Sequence, residues 1–149
     1  MNADVLFTWL FRYGHVVGGA VWLGGYLVLA FVMIPALTKG RDETLEQLSH
    51  FTVRVLTYTG TATIIFGLLL VPRTRGYDNL LVGEWGGIII SCVVIAIVLL
   101  EIGDGGLRPA LRRIQETGNA RPAGRLALLG FALTVLAVGL MTRALYVDS

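Results

Sequence analysis

Four long apolar stretches restrict this chain to folds that span a membrane. The first, from Gly14 to Leu37, carries no formal charge. As a helix it would extend about 35 Å, which exceeds the bilayer hydrocarbon core of about 30 Å. Hydrophobic residues make up 55% of the chain and charged residues 15%, against soluble norms of about 45–50% and about 25%. Four crossings need nearly all 149 residues, so no separate soluble domain is expected.

The pattern predicts an all-α fold, an integral membrane four-helix bundle that forms a single domain over residues 1–149. Aromatic, proline, glycine and charged residues at the ends of each stretch set the boundaries. The predicted helices cover approximately residues 5–37, 48–72, 85–114 and 125–146. Polar connections are expected over Arg41–Gln47 and Gly118–Gly124, with a turn near Gly76–Asn79. Beyond Glu101 the third helix is expected to continue as an amphipathic extension, because leucines and arginines alternate there.

Basic residues predict the orientation in the membrane. Four crossings place both termini on one side, together with Arg12, Arg73, Arg75 and Arg143. The opposite side holds Lys39, Arg41, Arg54, Arg108, Arg112, Arg113, Arg121 and Arg125. The positive-inside rule then places both termini outside a bacterial-type plasma membrane, the cell inner membrane.

One ionisable side chain lies at the start of the first apolar stretch. His15 is followed at helical spacing by Gly19, Trp22 and Tyr26, which share its helix face, and Gly18 lies beside them. An imidazole within a bilayer is costly unless it faces protein, water or a ligand. Glycines one turn after the histidine would leave room for a flat macrocycle, and histidine is a common axial ligand of haem iron. This pattern indicates a metal site in which His15 binds haem iron.

The same residues also have a packing interpretation. Gly14 and Gly18 have the small-xxx-small spacing that lets membrane helices pack closely. A histidine near the interface can simply bond a carbonyl or water. No second axial ligand is evident, although Tyr13, Tyr77 or a residue of a second copy are candidates. Both interpretations of His15 stay open on the sequence alone.

A second histidine is expected at the other surface of the membrane. His50 and Arg54 share a face of the second predicted helix. Because consecutive helices run antiparallel, His50 should lie on the order of 25–30 Å from His15, so the two cannot ligate one haem. Arg54 is expected to meet a carboxylate (Glu101, Asp104 or a haem propionate) or a lipid headgroup, or to extend to the interface.

Several functional classes are excluded by what the sequence lacks. The net charge of +2 comes without a nucleic-acid-reading motif, so no nucleic-acid partner is expected. Cys92 is the single cysteine, which excludes an intramolecular disulfide and a cysteine-rich metal cage; we expect it to be an inert apolar residue. Three methionines are too few for a methionine-lined copper path.

The first helix resembles a known signature. The segment His15-x6-Trp22-Leu23-Gly24-Gly25 is similar to the first helix of the superfamily that contains copper-resistance protein D (CopD) and the HemJ-type protoporphyrinogen oxidases. Arg54 and Trp85 are similar in placement to residues of those proteins. The resemblance implies a bundle of four or more helices and, for the HemJ branch, a b-type haem on His15. HemJ-type proteins carry a lysine shortly after the third-helix tryptophan, whereas residues 86–90 here contain none.

The sequence therefore predicts a b-type haem protein of the inner membrane, acting in electron transfer or as a redox-linked accessory subunit. In this hypothesis His15 ligates the iron, Gly18 and Gly19 give clearance, Trp22 lies against the porphyrin, and Arg54 or another arginine meets a carboxylate. Three alternatives stay open: a HemJ-type oxidase, CopD-like copper handling, and a non-catalytic structural subunit. The lipid bilayer surrounds the protein in each case, and a homo-oligomer or larger membrane complex is compatible with all of them.

Overall fold

The computed structural model describes residues 2–40 and 42–147. They form four helices, α1 (Ala3–Leu37), α2 (Glu43–Thr74), α3 (Gly83–Thr117) and α4 (Arg121–Ala144). All four are long and apolar enough to cross a membrane, and the described residues contain no strand. The predicted all-α membrane bundle is confirmed. Arg41, predicted to begin the first connection, lies outside the described residues.

The helices form a closed bundle of neighbours. α1 packs along α2, α2 along α3, α3 along α4, and α4 returns to α1. The main core takes residues from every helix, including Tyr26, Leu56, Leu99 and Ala127. A smaller cluster near the ends of α2 and α4 contains Val71, Trp85, Ile88, Cys92 and Val147. None of the described buried residues in this smaller cluster comes from α1, so the N-terminal half of α1 packs chiefly on α2.

The outer faces of the bundle are apolar on all sides. Val16, Ile65, Val94 and Leu136, one from each helix, are each more than half exposed. A water-soluble monomer rarely exposes continuous apolar surface around its whole circumference. In a bilayer such side chains face lipid, and the helices satisfy their own backbone groups. The lipid bilayer is therefore the environment of this fold.

α2 and α4 begin several residues earlier than the sequence predicts, and at each start a side-chain oxygen accepts a hydrogen bond from the first backbone N–H groups. The Asp42 carboxylate accepts hydrogen bonds from the backbone N–H groups of Thr44 and Leu45, at 2.9 and 3.2 Å, so α2 starts at Glu43. The Asn119 side chain accepts from the N–H of Arg121 at 3.2 Å, and Pro122 lies in the first turn of α4. The first and last connections are correspondingly shorter than expected.

The amphipathic extension of the third helix is present as predicted. α3 runs without interruption to Thr117 and ends at Gly118, whose φ of 71° is the left-handed conformation that favours glycine. A short 3-10 turn at Tyr77–Asn79 occupies the predicted turn region.

α1 and α3 each contain one π-helical turn, at Leu29–Met33 and Ile102–Leu107. A π-helical turn shifts the backbone hydrogen bonds by one residue, which alters the partners of nearby carbonyls. The hydroxyl of the fully buried Tyr26 donates to the carbonyl oxygen of Leu99, just before the turn in α3, at 2.6 Å. This hydrogen bond joins α1 to α3 across the middle of the bundle.

We expect Tyr26→Phe to lower the free energy of unfolding by about 1–3 kcal/mol, because it leaves the buried Leu99 carbonyl without this donor. The matched control is Tyr58→Phe, since Tyr58 is 70% exposed. Denaturant unfolding of both variants in the same detergent measures the difference. Equal stability of the two variants would contradict a structural role for the hydrogen bond.

Candidate cofactor site at His15

His15 lies half-buried in the contact between α1 and α2. Its Nδ1 atom is 2.8 Å from the backbone carbonyl oxygen of Thr63. A carbonyl oxygen can only accept, so Nδ1 carries the proton and donates it. In the neutral ring this tautomer leaves the lone pair of Nε2 available. The helix pairing therefore fixes which nitrogen of His15 can act as a ligand.

The Nε2 atom of His15 reaches the surface of the bundle. It has no hydrogen-bond partner among the described residues, and none of their buried side-chain nitrogen or oxygen atoms is unpaired. The ring fits against α2 because Gly67 has no side chain there. A methyl group added at Gly67 would lie 2.9 Å from Cε1 of His15 and 3.1 Å from Nδ1. Thr63 and Gly67 of α2 thus hold the imidazole in position. Neither residue could be identified from the sequence pattern of α1, because both lie on the other helix.

Two of the predicted haem contacts are used for helix packing. Gly18 is buried against the Thr63 side chain, where an added methyl would collide with the hydroxyl oxygen. Trp22 is 5% exposed, and its indole lies over Gly60 of α2. In contrast, nothing lies within 4 Å of a methyl added at Gly19. Of the two glycines one turn after His15, Gly19 keeps the open space that a macrocycle would need.

His50 and Arg54 lie toward the opposite end of the bundle from His15. His50 precedes the α2 residues that contact His15 by 13–17 positions, or about 20–25 Å of helix. Arg54 lies one turn further along the same helix. The structure therefore keeps the two histidines apart and does not bring Arg54 to His15. The carboxylate of Asp104, expected as a partner of Arg54, instead pairs with Arg108 at 2.7 Å.

Two other arginines lie at the same end of the bundle as His15. The guanidinium of Arg73 lies 5.0 Å from the ring centroid of Phe11, one turn before His15. Arg73 is six residues beyond Gly67, which corresponds to about 9 Å along α2. Arg12 is exposed on α1, three residues before the histidine. Both arginines were expected on this side of the membrane, but only the pairing of α1 with α2 brings Arg73 near His15.

The tyrosines considered as second axial ligands are already engaged. Tyr13 stacks on Trp9 with ring centroids 5.4 Å apart. The hydroxyl of Tyr77 donates to the carbonyl of Leu68 at 3.2 Å. Within the described ranges, no group of three or more histidine, cysteine or acidic side chains could hold a metal ion. Since His50 lies toward the other end, His15 is the one imidazole at this end of the bundle that could bind a metal.

Comparisons of this chain with protein-family models, with curated proteins and with solved structures find no match. Its function is therefore inferred from its residues and their geometry. The arrangement offers one oriented imidazole nitrogen at the bundle surface, an open glycine beside it and two arginines toward the nearer membrane surface.

The two adjacent glycines of α1 should respond differently to the same substitution. We expect Gly18→Ala to destabilise the protein by about 1–3 kcal/mol, because the added methyl overpacks the contact with Thr63. Gly19→Ala should be neutral or slightly stabilising, since alanine favours helix and the methyl meets open space. Thermal unfolding in detergent compares the two variants. A larger loss for Gly19→Ala would contradict the described register of α1 on α2.

Proposed function

We propose that this chain is an inner-membrane protein that binds one b-type haem through Nε2 of His15 and acts in electron transfer or as a redox-linked accessory subunit. The observation that carries this proposal is the hydrogen bond from Nδ1 of His15 to the Thr63 carbonyl. Metal-binding histidines generally donate their other ring N–H to a carbonyl, a carboxylate or water, which fixes the tautomer and makes the ligating nitrogen more basic.

In this proposal the porphyrin lies on the surface of the α1–α2 pair, beside His15. The open position at Gly19 gives clearance on α1, and the edge of the His15 imidazole rests on Gly67 of α2. We propose that Arg12 and Arg73, toward the nearer surface, donate to the propionate carboxylates. They take the role first expected of Arg54, which lies toward the other membrane surface. Bound haem would supply one-electron chemistry, with its potential tuned by the axial ligand and the surrounding polarity.

A second candidate function is a non-catalytic subunit in which His15 only joins two helices. The packing of Gly18 on Thr63 and of Trp22 on Gly60 favours this candidate, because both residues act in the helix contact. Under this alternative the ring contributes its hydrogen bond to Thr63 and binds no metal. The two candidates differ in whether Nε2 has a ligand.

Haem binding predicts a Soret band in the protein purified from membranes with haem available. We expect His15→Ala to abolish the band and His50→Ala to retain it, since the two histidines lie at opposite ends of the bundle. Absorption spectra at matched protein concentration measure both variants. A wild-type protein without a Soret band, or a His15→Ala variant that keeps it, would favour the non-catalytic subunit. Turnover of a porphyrinogen by the purified protein would instead support a HemJ-type oxidase.

We infer that both termini lie outside the inner membrane. The connection between α3 and α4 and the helix ends beside it carry Arg108, Arg112, Arg113, Arg121 and Arg125, the largest group of basic residues in the chain. Basic residues are retained on the cytoplasmic side. Alkaline phosphatase, which is active only outside the cytoplasm, should therefore be active when fused after Tyr146 and inactive when fused at Gly118. Activity of the fusion at Gly118 and inactivity of the fusion after Tyr146 would show that the orientation is the opposite one.

A further inference from the structure

A polar groove lies between α2 and α3 at the end of the bundle opposite His15. His50 and Arg54, one turn apart, line it from α2, and Arg108 and Arg112, also one turn apart, line it from α3. The groove has a volume of about 400 Å³. Gln115 and Glu116 complete its lining. α2 and α3 thus each contribute two basic residues, one helical turn apart, to the same groove.

The charges of this groove are only partly compensated within the protein. Arg108 pairs with Asp104 at 2.7 Å, and the Gln115 side chain donates to Glu46 at 3.0 Å. Neither Arg54 nor Arg112 has a hydrogen bond or salt bridge to another described residue. Three arginines face the single carboxylate that lines the groove. Their guanidinium groups can donate in pairs to phosphate oxygens, so the groove is suited to an anion.

The depth of the groove indicates the source of that anion. Arg54 lies 20 residues before the last residue of α2, which corresponds to about 30 Å of helix, the thickness of the hydrocarbon core. Arg108 lies 23 residues after Trp85 at the start of α3, or about 35 Å along that helix. Both arginines are therefore at the level of lipid headgroups. A lipid phosphate is held at this level, whereas a soluble phosphate is not.

An apolar path leads from the groove along α2 toward the middle of the membrane. Tyr58 and Ile65 follow Arg54 at helical spacing, on the same face, and both are more than half exposed. Phe51, beside His50, is 60% exposed. An acyl chain extending from a headgroup in the groove would meet these side chains.

We propose that the groove binds the phosphate of an anionic phospholipid, with its acyl chains along the exposed face of α2. Arg54 and Arg112 donate to the phosphate oxygens, and Arg108 adds charge from one turn away. Basic pockets between membrane helices bind anionic headgroups in this way. The site is independent of the haem proposal, because it shares no residue with the surroundings of His15.

Native mass spectrometry of the detergent-solubilised protein with added phosphatidylglycerol or phosphatidylcholine tests this proposal. Phosphatidylglycerol should bind more tightly, and the double variant Arg54→Ala/Arg112→Ala should weaken its binding by about tenfold or more. The matched control is Arg113→Ala/Arg125→Ala, which removes two exposed arginines near the same end but outside the groove. The control should bind phosphatidylglycerol like the wild type. Equal helicity by circular dichroism shows that both variants are folded.

Three outcomes would overturn the proposal. Equal binding of the two lipids would show that the groove does not select negative charge. Equal loss in both double variants would show a general surface attraction and no defined site. Competition by inorganic phosphate at the same concentration as the lipid would identify a soluble anion as the ligand. Neither double variant is expected to lose the Soret band. A failure of the lipid-binding proposal can therefore be distinguished from a failure of the haem proposal.

Discussion

The close contact of α1 with α2 is the constraint on which the rest of the structure depends. In a bilayer, lipid is as apolar as leucine, so helices associate through close packing and hydrogen bonds. Across this contact each larger side chain meets a glycine of the other helix: Trp22 meets Gly60, Thr63 meets Gly18, Leu56 meets Gly25, and His15 meets Gly67. The glycines alternate between the two helices, which fixes their register. That register places the His15 ring beside the Thr63 carbonyl.

The fold was predictable because lipid imposes long apolar helices, and the length of each stretch shows in the sequence. The amphipathic extension of α3 was also predictable, because a helical pattern of leucines and arginines continues past Glu101. The helix starts were less predictable. The side chains of Asp42 and Asn119 accept hydrogen bonds from backbone N–H groups at the starts of α2 and α4, within segments whose composition is typical of connections. The π-helical turns at Leu29–Met33 and Ile102–Leu107 have no sequence pattern that would have placed them.

The candidate site was predictable only in part, for a physical reason. His15 was identifiable because it is polar within an apolar stretch, and its shared face with Trp22 follows from helix periodicity. Periodicity does not say what covers that face. Here α2 covers it, so Gly18 and Trp22 are enclosed by protein and Gly19 stays open. Thr63 lies 48 residues away in sequence, and only the pairing of the helices makes it the hydrogen-bond partner of His15.

The hydrogen bond of His15 also bears on why a histidine is present. Within α2, the Thr63 carbonyl already accepts from the N–H four residues on, that of Gly67. The hydroxyl of Thr63 donates to the carbonyl of Thr59 at 2.7 Å, so both of these Thr63 groups are paired within α2. Thr63 therefore has no unpaired group that requires an imidazole. The imidazole, however, has two polar nitrogens, and among the residues that the structure describes only Nδ1 has a partner. A polar atom at the lipid-facing surface of the bundle is costly without a partner, and a ligand or a water molecule at Nε2 would remove that cost.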